Sequence, residues 1–190
     1  MAKTTREGAP EGAERNEGRS RWPTMRLELL SAYVPEGSKR LPVAALGSVA
    51  QHPNEPGVHH LHGDLCWTID ERRVPSMESG DPGDVCLGMW WDTLEAALAA
   101  LTQGSSYRYD PILQGIPAFL FEREDSTVRL SLVASATGTE PVADWQRVPF
   151  EWRDFVEEVH DFQARLREQL RMDGPTRLPD DWAARLSKSD

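Results

Sequence analysis

The stretch from about Phe150 to Met172 limits the fold more than any other part of this chain. Trp152, Phe155, Val156, Val159, Phe162, Leu166 and Leu170 recur at spacings of three and four, while Arg153, Asp154, Glu157, Glu158, Asp161 and Arg165 take the opposite side. That period predicts one long amphipathic helix, and Asp161 with Arg165 adds an i,i+4 pair to its wet face. Gly174-Pro175 stops it. A continuous apolar stripe of this length needs a second layer to lie on, so the residues upstream have to supply one.

They do so with the other period. From Met25, Leu27, Leu29 and Ser31 alternate with Arg26, Glu28 and Leu30 before Tyr33, and Leu65, Trp67 and Ile69 repeat the pattern. Pro117 to Glu124 and Thr127 to Ser135 place Phe119 and Phe121, then Val128, Leu130 and Leu132, on single faces. The tight Glu124-Asp125-Ser126 link makes them a hairpin. A last strand is expected around Trp145 to Val148. Val85 to Trp91 is an apolar run that is strand-like or simply buried. Asp92-Thr93-Leu94-Glu95 carries an N-cap residue with a Glu three positions on, and Leu94, Leu98 and Leu101 continue at helical spacing to Gly104.

Strands followed by a short helix, then a hairpin followed by a long helix, exclude regular β-α-β alternation. The expected fold is a single α+β domain, an antiparallel sheet of about five strands with the long C-terminal helix and the shorter helix packed on it. Residues 1–21 lack apolar periodicity and are expected to be a disordered tail. Residues 22–172 form the domain, and residues 173–190 an extension in which Leu178, Trp182 and Leu186 outline one more amphipathic turn or two, either docked on the body or loose.

The 190 residues carry 21 Lys and Arg against 31 Asp and Glu, a net charge of −10. This balance opposes a broad grip on nucleic-acid phosphates or anionic lipid. No apolar run is long enough to span a bilayer, and the N-terminal residues lack a signal-peptide core, so the expected location is the cytoplasm. Cys66 and Cys86 supply neither a disulfide framework nor a zinc knuckle and are read as inert buried thiols. No cofactor is expected.

The sharpest local cluster is His59-His60-Leu61-His62-Gly63-Asp64. His60, His62 and Asp64 are candidate metal ligands, because imidazoles at i,i+2 with a nearby carboxylate can present nitrogen and oxygen to a divalent ion. These three resemble part of the His-x-His-x-Asp motif of the metallo-β-lactamase family. The motif continues with His where this chain has Leu65, and only His52 and His160 remain as distant histidines. Nucleophile elbows and phosphate-cradling glycine loops are missing. Glu122 and Glu124 share a strand face near a hairpin end and are read as solvated charges. His160 falls on the polar side of the long helix.

Seven Trp is high for this length. Trp67, Trp145, Trp152 and Trp182 fall in apolar register, whereas adjacent Trp90 and Trp91 cannot easily both point inward. One of that pair is a candidate exposed contact. Beside it runs an acidic loop, Glu78, Asp81 and Asp84, the candidate negative half of an electrostatically steered interface.

Three stretches together resemble small bacterial families grouped with the immunity proteins of polymorphic toxin systems. They are Leu61-His62-Gly63-Asp64-Leu65-Cys66-Trp67-Thr68-Ile69-Asp70, the segment Tyr109-Asp110-Pro111-Ile112-Leu113-Gln114-Gly115-Ile116-Pro117-Ala118-Phe119-Leu120-Phe121, and Trp145-Gln146-Arg147-Val148-Pro149-Phe150 leading into Phe155. The resemblance is one of layout over about Met25 to Leu170 and carries no site residues. It implies a non-enzymatic α+β protein that binds and blocks one partner, such as a basic toxin domain. Two other readings stand beside it: a small-molecule or glycan-binding module stacking its ligand on Trp90 or Trp91, and a metal-dependent hydrolase centred on His60, His62 and Asp64.

Overall fold

Alternating burial along the first apolar stretch builds β1 (Met25–Glu36), which turns through Gly37 into β2 (Lys39–Leu41). The structure, a computed structural model, describes residues 23–48, 57–75, 77 and 84–187. β3 (His62–Ile69) runs antiparallel to β1, with β4 (Arg72–Arg73) and β5 (Asp84–Cys86) both pairing with β3, at its two ends. β5 leads directly into α1 (Leu87–Thr102). A second antiparallel sheet follows, in which β6 (Tyr107–Tyr109), β7 (Ala118–Glu124), β8 (Thr127–Val133) and β9 (Val148–Glu151) lie in chain order. α2 (Trp152–Asp173) and α3 (Asp180–Ser187) complete the fold. The class is α+β, as the order of periodic segments requires, but the strands divide between two sheets. Beyond β3 the first sheet holds only the short strands β4 and β5, and α1 carries the chain from β5 across to the second sheet.

The two sheets meet through aromatic rings. Trp67 of β3 stacks on Phe121 of β7 with centroids 5.9 Å apart, and Trp90 of α1 sets its edge against Trp67 and Phe119. Phe155 of α2 packs on Phe121 and Phe150, so the stripe seen in the sequence closes the same core.

α1 begins five residues before the expected start at Asp92. Leu87, Gly88, Trp90, Trp91 and Leu94 are all buried, and this burial decides the helix start over the local capping pattern. Asp92 therefore sits within the helix, where it binds Arg185 of α3 (2.8 Å), and Glu95 accepts the Trp91 indole N–H (2.9 Å). Neither Trp90 nor Trp91 is exposed, at 2% and 0% of their surface. Successive helical positions differ by about 100°, so a helix held between layers buries both: Trp90 faces Trp67, Tyr109 and Phe119, and Trp91 faces Phe162 of α2. The last strand lies slightly later than expected, with Trp145 in a 3-10 turn before it.

α2 also meets the open side of β1. Asp154 and Glu158 accept the backbone N–H groups of Met25 and Leu27, the latter at 2.8 Å. Residues four apart on a helix rise about 6 Å and residues two apart on a strand about 6.7 Å, so one helix face matches successive outward amides.

Of the two alternatives the apolar spacing left open, α3 takes the docked one. Trp182 is fully buried and its indole N–H donates to the His59 carbonyl (2.7 Å), while the Asp181 carboxylate accepts the His59 backbone N–H and binds its Nδ1, both at 2.9 Å. Burial pushes the Asp181 carboxyl up, but these hydrogen bonds outweigh it and hold the group below its ordinary value. Among the described residues no helix is long and apolar enough to cross a membrane. The expected N-terminal tail lies outside the described residues.

Candidate functional site

The period of β3 sends Leu65, Trp67 and Ile69 into the core and turns His62, Asp64 and Cys66 toward the other face. Antiparallel pairing then sets His62 opposite Cys86, and Asp64 opposite Asp84. His60, two residues before His62, joins them: its Nδ1 lies 3.8 Å from the Cys86 Sγ, and its ring centroid 6.2 Å from that of His62. One donor atom from each of His60, His62 and Cys86 falls within 4.8 Å of the others. Asp84 binds His62 Nδ1 at 2.9 Å.

Asp64 does not belong to this group. Its carboxylate accepts the Ser31 hydroxyl (2.6 Å) and lies 3.7 Å from Arg40. The i,i+2 histidines thus come together as the sequence suggests, but the third donor is a thiol from β5. Neither cysteine is an interior residue; Cys66 and Cys86 are both half-buried on outward positions. Gly63 lets the strands meet here. A Cβ at Gly63 would lie 2.2 Å from the Ser31 carbonyl oxygen and 2.8 Å from Leu87, at the irregularity in β1 between Leu29 and Ser31.

Tyr33 closes one side, its ring 6.1 Å from His62 and covered by the Arg40 guanidinium at 4.5 Å. Burial, with Asp84 beside it, pushes the Tyr33 phenol far above its ordinary range.

On the other side, His62, Asp84 and Cys86 border a shallow apolar pocket of about 40 Å³ that also involves Met77, Met89 and Leu113. The loop after β6 supplies its rim. Asp110 accepts the backbone N–H groups of Ala136 (2.8 Å) and Ile112 (3.2 Å), and these bonds hold its carboxyl below the ordinary value. The Thr137 hydroxyl donates to the Leu113 carbonyl, and Gly115 N–H to the Thr139 hydroxyl, both at 3.1 Å. Pinned in this way, the loop holds Ile112 at φ +53° with 71% of its surface exposed. Leu113 and Met89 are also exposed, at 38% and 39%.

Glu78 and Asp81 lie outside the described residues. The nearest described residues on either side of them, Met77 and Asp84, both line this pocket. Trp91 is fully buried, and Trp90, only 2% exposed, lines the base of the small pocket beside Met89. A wider groove of about 480 Å³ crosses the outward face of β1 and β3, but Arg26, Glu28, Cys66, Thr68 and Asp70 line it and no aromatic ring does. Glu122 and Glu124 both pair with Arg147, and Glu124 also with Arg129, whose hydrogen bonds hold the Glu124 carboxyl low. They form a surface ion-pair network. His160 is exposed on α2.

Comparison of the chain with protein families, with curated proteins and with solved structures returned no match.

Proposed function

We propose that this chain is a non-enzymatic, cytoplasmic binding protein of the immunity type, which neutralises one basic protein partner through the ledge formed by Ile112, Leu113 and Met89. The observation that carries this reading is Ile112. A β-branched residue in the left-handed region costs on the order of 1–3 kcal/mol, yet here it is held firmly and its side chain faces solvent. Strain kept at a pinned, exposed aliphatic residue supports a role in contact. Such residues anchor interfaces when a partner excludes water around them.

The charge of −10 supports a basic partner, and Asp84 lines the pocket beside the ledge. Acidic groups flanking an apolar contact raise the association rate of a basic protein and discriminate against acidic ones.

The test is affinity capture from native-host lysate on the full chain, run side by side with Ile112→Asp. A basic protein held at near-stoichiometric level by the wild type and lost from Ile112→Asp is the expected result. With that partner purified, Glu78→Lys combined with Asp81→Lys lowers the association rate at low salt and has little effect at high salt. Equal retention by Ile112→Asp, or no specific retention by the wild type, overturns the reading.

A further inference from the structure

We propose that His60, His62 and Cys86 form a binding site for one zinc ion, with Asp84 as the group that orients His62. Two imidazole nitrogens and one thiolate are a borderline-to-soft donor set, suited to zinc and poorly suited to magnesium or calcium, which select oxygen.

The distances agree with this choice. Bonds of about 2.0–2.3 Å in a tetrahedral zinc site place donors about 3.3–3.6 Å apart. His60 Nδ1 and Cys86 Sγ stand at 3.8 Å, and the whole set lies within 4.8 Å. Side-chain rotation covers the difference, because the backbones are already in place. His62 and Cys86 are direct partners in the β3–β5 ladder, and His60 follows His59, which α3 holds through Asp181 and Trp182.

The second observation is the carboxylate. Metal-bound imidazoles characteristically donate the remaining ring N–H to a carboxylate or carbonyl, which sets the tautomer and aims the other nitrogen at the metal. Asp84 does this for His62, taking Nδ1 at 2.9 Å and leaving Nε2 to bind. Three protein ligands would leave a fourth position for water or another ligand, and His62 and Cys86 border the pocket that Met77 and Met89 also line.

The experiment uses the full chain, reduced and stripped with a chelator. Zinc chloride titrated by calorimetry gives one equivalent bound with sub-micromolar affinity and raises Tm. Cobalt in its place gives a thiolate-to-metal band in the near ultraviolet, present in Cys66→Ser and absent in Cys86→Ser. His60→Ala and His62→Ala each abolish stoichiometric uptake, and Asp84→Asn weakens zinc by about 10–100-fold. Circular dichroism of each stripped variant verifies that it is folded; should Cys86→Ser fail to fold, the two histidine variants decide. No stoichiometric zinc uptake by the reduced wild type overturns the proposal. So does a thiolate band that survives in Cys86→Ser, or uptake of cuprous ion with none of zinc.

Discussion

Replacing Trp182 by Ala asks whether α3 is part of the folded domain or an ornament on it. The side chain is fully buried and its N–H donates to the His59 carbonyl. An indole buries about 150–250 Å², equivalent to about 4–6 kcal/mol at 25 cal/mol per Å², and the hydrogen bond adds about 1 kcal/mol. That total is not what an experiment reads. α3 has eight residues, and ordering each one costs on the order of 1 kcal/mol, so undocking recovers much of the loss once the indole is gone. The measured cost is capped by the net docking free energy of the helix, and we expect about 2–4 kcal/mol. In a chain of this size that corresponds to a fall in Tm of roughly 6–12 °C.

Urea unfolding of three proteins followed by circular dichroism is the assay. These are Trp182→Ala, a chain lacking residues 175–190, and Trp182→Ala combined with Arg185→Ala. All three lose the same stability to within about 0.5 kcal/mol, because the Arg185–Asp92 pair has no value once the helix has left. A loss below about 1 kcal/mol for Trp182→Ala refutes the packing argument. A truncation costing several kcal/mol more than the point variant refutes the cap.

Three further outcomes follow from the same geometry. Gly63→Ala drives a methyl group against the Ser31 carbonyl and Leu87 and costs about 1–3 kcal/mol, measured as a lower urea midpoint. Ile112→Gly relieves the left-handed strain and raises stability by about 0.5–1 kcal/mol while weakening partner binding, a split that thermal melts and the capture assay read separately. Burial, with Glu151 and Glu157 nearby, raises the Asp154 carboxyl above its ordinary value. The folded chain therefore holds that proton more tightly than the unfolded chain, and stability is lost as pH rises through the carboxylate range. Asp154→Asn keeps an acceptor for Met25, so its Tm exceeds that of the wild type near neutral pH and the gap closes below about pH 4; a gap unchanged in acid contradicts the assignment.

What could be read in the chain was whatever repeats locally. The stripe from Trp152 to Leu170 and the alternation on either side of Asp125 name their own elements, because burial on one face imposes its period. The run from Val85 to Trp91 has no period, and only the layers around it show that Trp90 and Trp91 lie on a helix. Strands of three residues, such as Tyr107–Tyr109, are too short to display alternation. At the metal-ligand cluster the His60–His62 spacing was visible, whereas Cys86 arrives through a strand pairing across 24 residues of sequence (86 − 62). Asp64, one step further along the same strand face, is drawn off by Ser31 and Arg40 instead.

The carboxylates that α2 lends to β1 also bear on what this protein avoids. An outward row of amides on a sheet border is a template for a strand from another copy, and long unprotected borders seed aggregation. Asp154 and Glu158 occupy the Met25 and Leu27 positions of that row, and they do so with groups whose negative charge also repels an approaching acidic copy. A helix placed for packing thus doubles as a guard against self-association, one that sustained acidification weakens by removing the charge.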